Sequence, residues 1–145
     1  MLGDEIDEEH HVSRYCSPLL VVNGLPAAEA FFLKRGEKCL SVNWLEYFNT
    51  QDLAQAIDRV RQVFIDKGYR IKVKGRFASF QVRMVIEIIS SHSRMSAKII
   101  HKPEELDPSH CGVIGYTGHS TTDKLIALKI AKLARAGDMY PGKIS

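Results

Sequence analysis

The sequence predicts an α+β domain, with a mostly antiparallel sheet and two longer helices packed on one face. Two stretches carry apolar residues at helical spacing, and several shorter ones alternate apolar and polar residues as strands do. These stretches follow one another without the regular strand–helix alternation that a parallel α/β sheet requires. The chain of 145 residues matches the usual size of one domain.

The charge of the chain is unevenly distributed. The formal net charge is +3, but residues 1–9 contain five acidic residues and no lysine or arginine. Residues 10–145 therefore hold 20 basic and 12 acidic residues, a net charge of +8. We predict an acidic flexible tail over residues 1–9 and a single α+β domain over residues 10–145. A basic domain of this kind attracts polyanions.

Composition also bears on location and cofactors. No apolar run reaches the length that crosses a membrane, and the first residues lack the basic start and apolar stretch of a secretion signal. The three cysteines are widely spaced and fit neither a disulfide framework nor a closed zinc site. The sequence therefore predicts a cytoplasmic protein with no membrane partner, no metal and no cofactor.

The first part of the chain predicts short strands and turns. An extended segment is expected at residues 11–16, followed by turns over residues 17–26, where Pro and Asn-Gly residues cluster. A β-hairpin is expected to join residues 30–34 to residues 39–44.

The first long helix is predicted from its apolar spacing. The residues on its apolar face are Leu53, Ile57, Val60 and Phe64. Asn49 or Thr50 would cap its beginning, and Gly68 would end it in the left-handed conformation.

The second part of the chain predicts three further strands and a second long helix. Residues 69–74 and residues 80–88 alternate as strands do, although residues 80–88 also fit a helical stripe. Their β-branched residues favour the strand. Residues 97–101 and residues 113–114 predict short strands, and the last helix is expected from about residue 122 to residue 136.

A row of alternating basic residues suggests a nucleic-acid surface. Arg70, Lys72, Lys74 and Arg76 would share one face of a strand. Like charges so arranged repel one another, and the phosphates of a nucleic-acid backbone would neutralise them. The alternative is an edge strand whose charges discourage unwanted pairing.

A glycine-rich loop before the last helix suggests a phosphate site. Its candidate residues are Gly115, Gly118, Ser120, Thr121 and Thr122. Free amides at a helix N-terminus bind anions, and Lys129 and Lys132 of the helix would add positive charge. The alternative is a turn in which a threonine caps the helix.

A phosphoesterase-type enzyme is the alternative function. His11 and His119 each begin an H-x-[ST] pattern and would serve as acid and base. Arg14 and Glu46 complete this candidate catalytic site, with Glu46 acting as an acid or base or holding the arginine in place.

The function predicted first is therefore binding of a phosphate-bearing partner, either nucleic-acid backbone or nucleotide. A third interpretation is a protein-interaction module, in which the acidic tail or residues 19–22 contact a protein partner or a second copy of the chain. The sequence leaves the ligand and the choice between binding and catalysis open.

Overall fold

The computed structural model describes residues 3–144, which form a six-stranded antiparallel sheet, a small hairpin and three α-helices. The strands are β1 (His11–Cys16), β2 (Val21–Val22), β3 (Leu25–Pro26), β4 (Leu40–Trp44), β5 (Arg76–Gln81), β6 (Lys98–His101), β7 (His110–Ile114) and β8 (Met139–Pro141). The helices are α1 (Leu53–Asp66), α2 (Val82–Ser90) and α3 (Ser120–Ala136). The sheet order is β6-β7-β4-β1-β5-β8, and β2 pairs with β3. The predicted α+β class and antiparallel sheet are confirmed. Among the described residues, no helix combines the length and apolar character needed to cross a membrane.

The sheet carries a core on each face. Because side chains alternate along a strand, Phe77 and Ala78 of β5 point to opposite faces. Phe77 joins Ile57 and Val60 of α1 in one core, and Ala78 joins residues of α2 and α3, such as Ile130, in the other. The two longer helices therefore lie on opposite faces, which differs from their predicted placement on one face.

The first helix begins and ends much as the sequence indicates. Asp52 caps it, because its Oδ1 accepts a hydrogen bond from the Gln55 amide at 2.9 Å. Asn49 instead ends the preceding 3-10 turn in the left-handed region, with φ of 51°, and Thr50 donates its hydroxyl hydrogen to the Asp52 carbonyl. Gly68 has φ of +81° after the last turn, as predicted.

Residues 69–74 and residues 30–34 are not strands. In residues 69–74 the chain is irregular, with Ile71 buried in the α1 core and its neighbours exposed. Of the apolar residues that alternate with basic ones in this segment, only Ile71 is buried in the core. At Ala28–Phe31 the chain forms a 3-10 turn that buries Ala30 and Phe31, so the predicted hairpin is replaced by a turn followed by β4.

The ambiguous stretch at residues 80–88 resolves mainly as a helix. Val82, Val85 and Ile89 of α2 are buried at helical spacing, and this spacing prevails over the β-branched content. The strand predicted there is wrong beyond Gln81, where β5 ends.

The acidic N-terminal segment lies against the domain. Over residues 3–9 the chain runs beside β6, where the Ile6 amide donates to the Ile99 carbonyl at 2.9 Å and the Ile6 side chain is buried. Glu9 forms an ion pair with Arg83 of α2. The segment expected to be a flexible tail is therefore held by backbone and side-chain contacts.

Candidate functional site

A cavity of about 300 Å³ opens on the α1 face of the sheet, where β1 and β4 separate. These strands pair only at Val12 with Trp44 and at Ser13 with Asn43. Beyond that point the Arg14 guanidinium bridges them, since its Nη1 donates to the Ser41 carbonyl at 2.7 Å. Ser13, Arg14, Ser41 and Asn43 all line the cavity.

Arg14 supplies a positive charge that forms no ion pair within residues 3–144. Its Nε donates to the Ala30 carbonyl at 2.6 Å and its Nη1 to the Ser41 carbonyl. Within residues 3–144, no carboxylate lies within salt-bridge distance of Arg14, and its Nη2 has no hydrogen-bond partner. Burial lowers the pKa of Arg14, but a guanidinium remains protonated in proteins. Arg14 alternates with Ser13 and Tyr15, so its side chain starts on the α3 face, and its guanidinium reaches the gap between β1 and β4, where it is bonded only to neutral groups.

Ser13 adds an unsatisfied hydroxyl to the same cavity. Its side chain is fully buried, and its Oγ has no hydrogen-bond partner in the described part of the chain. A buried polar group without a partner costs about 1–3 kcal/mol. A ligand atom that supplies the missing partner must enter the cavity wall, since no part of Ser13 is exposed.

A buried polar network forms another side of the cavity. Asn43 Nδ2 donates to Asp107 Oδ1 at 2.8 Å and to Ser109 Oγ at 2.9 Å. Lys67 Nζ lies 3.3 Å from Asp107 Oδ2 and 3.5 Å from Glu104 Oε1. Although burial opposes it, the pKa of Lys67 is raised because these carboxylates stabilise the ammonium. The Lys67 charge is thus neutralised within the protein, unlike that of Arg14.

Ser41 and His110 contact each other across β4 and β7. His110 Nδ1 lies 2.8 Å from the Lys102 carbonyl, which can only accept, so Nδ1 carries the ring hydrogen. His110 Nε2 is then the acceptor for the Ser41 hydroxyl, 3.1 Å away. The two side chains are therefore arranged as a hydroxyl donor and a basic ring nitrogen, and both line the cavity.

Aromatic rings line the side of the cavity next to α1. Tyr15, Phe64 and Tyr69 all contribute to this wall. Tyr69 is 53% exposed, and its ring packs against Phe64 in a T-shaped arrangement with the ring centroids 5.4 Å apart. Lys67 Nζ lies 4.8 Å from the centroid of that ring.

The predicted basic row does not form one surface. Arg70, Lys72 and Lys74 are exposed in the irregular segment before β5. Arg76 lies in β5 and donates to carbonyls of its own turn. The prediction of a shared strand face is wrong, because residues 69–74 are not a strand.

The glycine-rich loop is occupied by an acid of the protein itself. Asp123 Oδ1 accepts from the Thr117 amide at 2.8 Å, and Oδ2 accepts from the Gly118 amide at 2.9 Å. Gly115 is buried before the loop, and residues 120–122 form the first turn of α3. The predicted threonine cap is not formed, because α3 has no side-chain cap, and Asp123 instead binds the amides of the loop before the helix.

The predicted acid and base histidines lie on opposite faces of the sheet. His11 points to the α1 face, where its Nδ1 lies 2.6 Å from Glu46 Oε2. His119 precedes α3, which packs on the other face of the sheet. Lys129 and Lys132 lie on the exposed side of this helix. The two histidines therefore cannot meet one phosphate, and Glu46 pairs with His11.

The sequence identified Arg14 but missed the groups around it. Ser13, Ser41 and His110 come from three strands. Ser13 ends the H-x-[ST] pattern that begins at His11, whereas Ser41 and His110 belong to no pattern in the sequence. A weak signal was present, since Ser41 and Asn43 alternate with apolar residues and so share one face of β4.

Comparison with known proteins finds no family model, no curated protein and no solved structure that matches the chain. Within residues 3–144, no three His, Cys, Asp or Glu side chains gather as metal ligands would. The function is therefore argued from the geometry of the cavity.

Proposed function

We propose that the protein binds a small phosphate-bearing ligand of the nucleotide class in the cavity beside Arg14. The observation that carries this proposal is Arg14, a residue of the cavity wall whose guanidinium is bonded only to backbone carbonyls. Hydrogen bonds between a guanidinium and a phosphate are among the strongest in proteins. The phosphate supplies the negative charge that Arg14 otherwise lacks.

Two further features support a nucleotide over a bare anion. Lys34 also lines the cavity, and its ammonium forms no ion pair among residues 3–144, although its backbone amide donates to Glu37 Oε1 at 2.7 Å. The exposed Tyr69 ring offers a surface on which a base can stack. A cavity of about 300 Å³ lies at the lower end of the range for small-molecule sites.

A cytoplasmic location belongs to the same proposal, since Cys16, Cys39 and Cys111 are all free thiols.

Calorimetric titration with adenosine monophosphate (AMP), adenosine and inorganic phosphate tests the proposal. We expect saturable AMP binding that is tighter than binding of either part alone. Arg14→Gln should weaken AMP binding roughly 10- to 100-fold, because it removes a charged hydrogen bond worth about 1.5–3 kcal/mol.

Arg135→Gln is the matched control. Arg135 also donates its Nε to a backbone carbonyl, that of Pro26 at 3.0 Å, but it does not line the cavity. Its replacement should leave AMP binding unchanged. Equal affinity of the wild-type protein for AMP and adenosine would contradict the role given to Arg14.

Nucleic acid is the second candidate ligand, and the exposed segment beside the cavity favours it. Arg70, Lys72 and Lys74 have no carboxylate partner within residues 3–144, and Tyr69 lies between this segment and the cavity. A strand end could place its terminal nucleotide in the cavity and its backbone on the segment. The double variant Lys72→Gln/Lys74→Gln should then weaken single-stranded RNA binding and lower its salt dependence, while AMP affinity stays the same.

A further inference from the structure

We propose that Ser41 and His110 form a nucleophile and general base that cleave the terminal phosphoanhydride bond of a nucleoside diphosphate or triphosphate. This inference rests on the proposed nucleotide site and extends it from binding to catalysis. Neither residue was a candidate in the sequence, where they lie 69 positions apart.

The hydrogen-bond directions at His110 support the role of base. The Lys102 carbonyl fixes the ring hydrogen on Nδ1, so Nε2 presents its lone pair to the Ser41 hydroxyl at 3.1 Å. Glu104 Oε2 lies 3.8 Å from Nδ1. The Ser41 hydroxyl, the His110 ring and the Lys102 carbonyl are thus in hydrogen-bond contact as nucleophile, base and orienting acceptor.

The position of Arg14 connects this pair to the ligand. Its Nη1 is bonded to the carbonyl of Ser41 itself, and both residues line the cavity, although their side chains leave opposite faces of the sheet. In this proposal the phosphate reaches from the Arg14 guanidinium to the Ser41 hydroxyl. The guanidinium also stabilises negative charge that develops on phosphoryl oxygens.

The reaction is balanced in two steps. Ser41 Oγ attacks the terminal phosphorus, the bond from that phosphorus to the bridging oxygen breaks, and the electron pair leaves on the shortened nucleotide. The Oγ proton passes to His110 Nε2 and then to solvent. Water next attacks the phosphoserine, its proton passes through His110 to Oγ, and the phosphorus–Oγ bond breaks. One water is consumed, and inorganic phosphate and a proton are released.

A fluorophosphonate probe tests the nucleophile without knowledge of the natural ligand. Ser41 Oγ bonds to the probe phosphorus, fluoride leaves, and the proton departs through His110. We expect peptide mass spectrometry to find the label on Ser41, and adenosine diphosphate to slow the labelling. Ser41→Ala should remove the label.

His110→Asn separates catalysis from structure. The asparagine amide can still donate to the Lys102 carbonyl but provides no base near Ser41. Labelling should fall roughly 10²–10⁴-fold, while the melting temperature stays close to that of the wild type. A labelling rate equal to that of the wild type would overturn the role of His110.

Failures of the two proposals are distinguishable. Saturable AMP binding without label on Ser41 would overturn the nucleophile and leave the binding site intact. Label on Ser41 without AMP binding would keep the activated serine and overturn the nucleotide as its substrate.

Discussion

Replacing Ser13 with alanine is expected to stabilise the free protein and to weaken ligand binding. The Ser13 hydroxyl is fully buried and has no partner within residues 3–144. Such a group costs about 1–3 kcal/mol, so its removal should raise the free energy of unfolding by about 1 kcal/mol after the loss of packing. For a chain of this size the melting temperature should rise by about 4 °C. The lost hydrogen bond to the ligand should weaken AMP binding roughly 5- to 30-fold.

Ser79→Ala provides the matched control for this experiment. Ser79 lies directly opposite Ser13 in the pairing of β1 with β5, but its hydroxyl donates to the Asp138 carbonyl at 3.0 Å. Its replacement should lower stability by about 1 kcal/mol and leave AMP binding unchanged. Thermal unfolding and calorimetry measure both quantities. If Ser13→Ala is destabilised like Ser79→Ala and binds AMP as the wild type does, then the hydroxyl has no ligand role.

The remaining predictions concern the fold and its ionisable groups. Gly115→Ala should destabilise the protein by at least about 2 kcal/mol in urea unfolding, because φ is +132° and the new Cβ would lie 2.6 Å from Ile89 Cγ2. Lys67→Met should cost about 2 kcal/mol, since Asp107 loses a charged partner. The pKa of Lys67 is raised in the folded protein, so its contribution to stability is full below the unfolded pKa of about 10.4. That contribution is lost as the pH rises through the folded pKa, so the unfolding free energies of wild type and variant should converge at high pH. Among the three thiols, Cys39 alone should react rapidly with a thiol reagent before unfolding, because burial raises the pKa of the other two to about 11 and about 12.

Local patterns predicted the parts of the fold that depend on neighbours in the sequence. Apolar spacing located α1, and Gly68 ended it, because both effects act within a few residues. The pattern failed at residues 69–74, where one buried side chain, Ile71, imitates a strand. It also failed at α2, whose apolar residues fit both the strand period and the helix period, so the sequence alone does not decide between them.

The candidate site was harder to predict because it is assembled from distant segments. Arg14 was predicted as a member of the candidate catalytic site, held in place by Glu46. Its importance depends on the absence of a nearby carboxylate, which only the fold reveals. The Ser41–His110 contact joins β4 to β7, and neither residue has a motif around it. The glycine loop did have a motif-like pattern, but Asp123 already fills it.

The most direct test of an anion site at Arg14 is an anomalous difference map from crystals soaked in selenate, a tetrahedral anion that resembles phosphate. The account predicts a selenium peak inside the cavity, with an oxygen at hydrogen-bond distance from Arg14 Nη2. Peaks found only beside exposed cations such as Lys72, with none in the cavity, would contradict it.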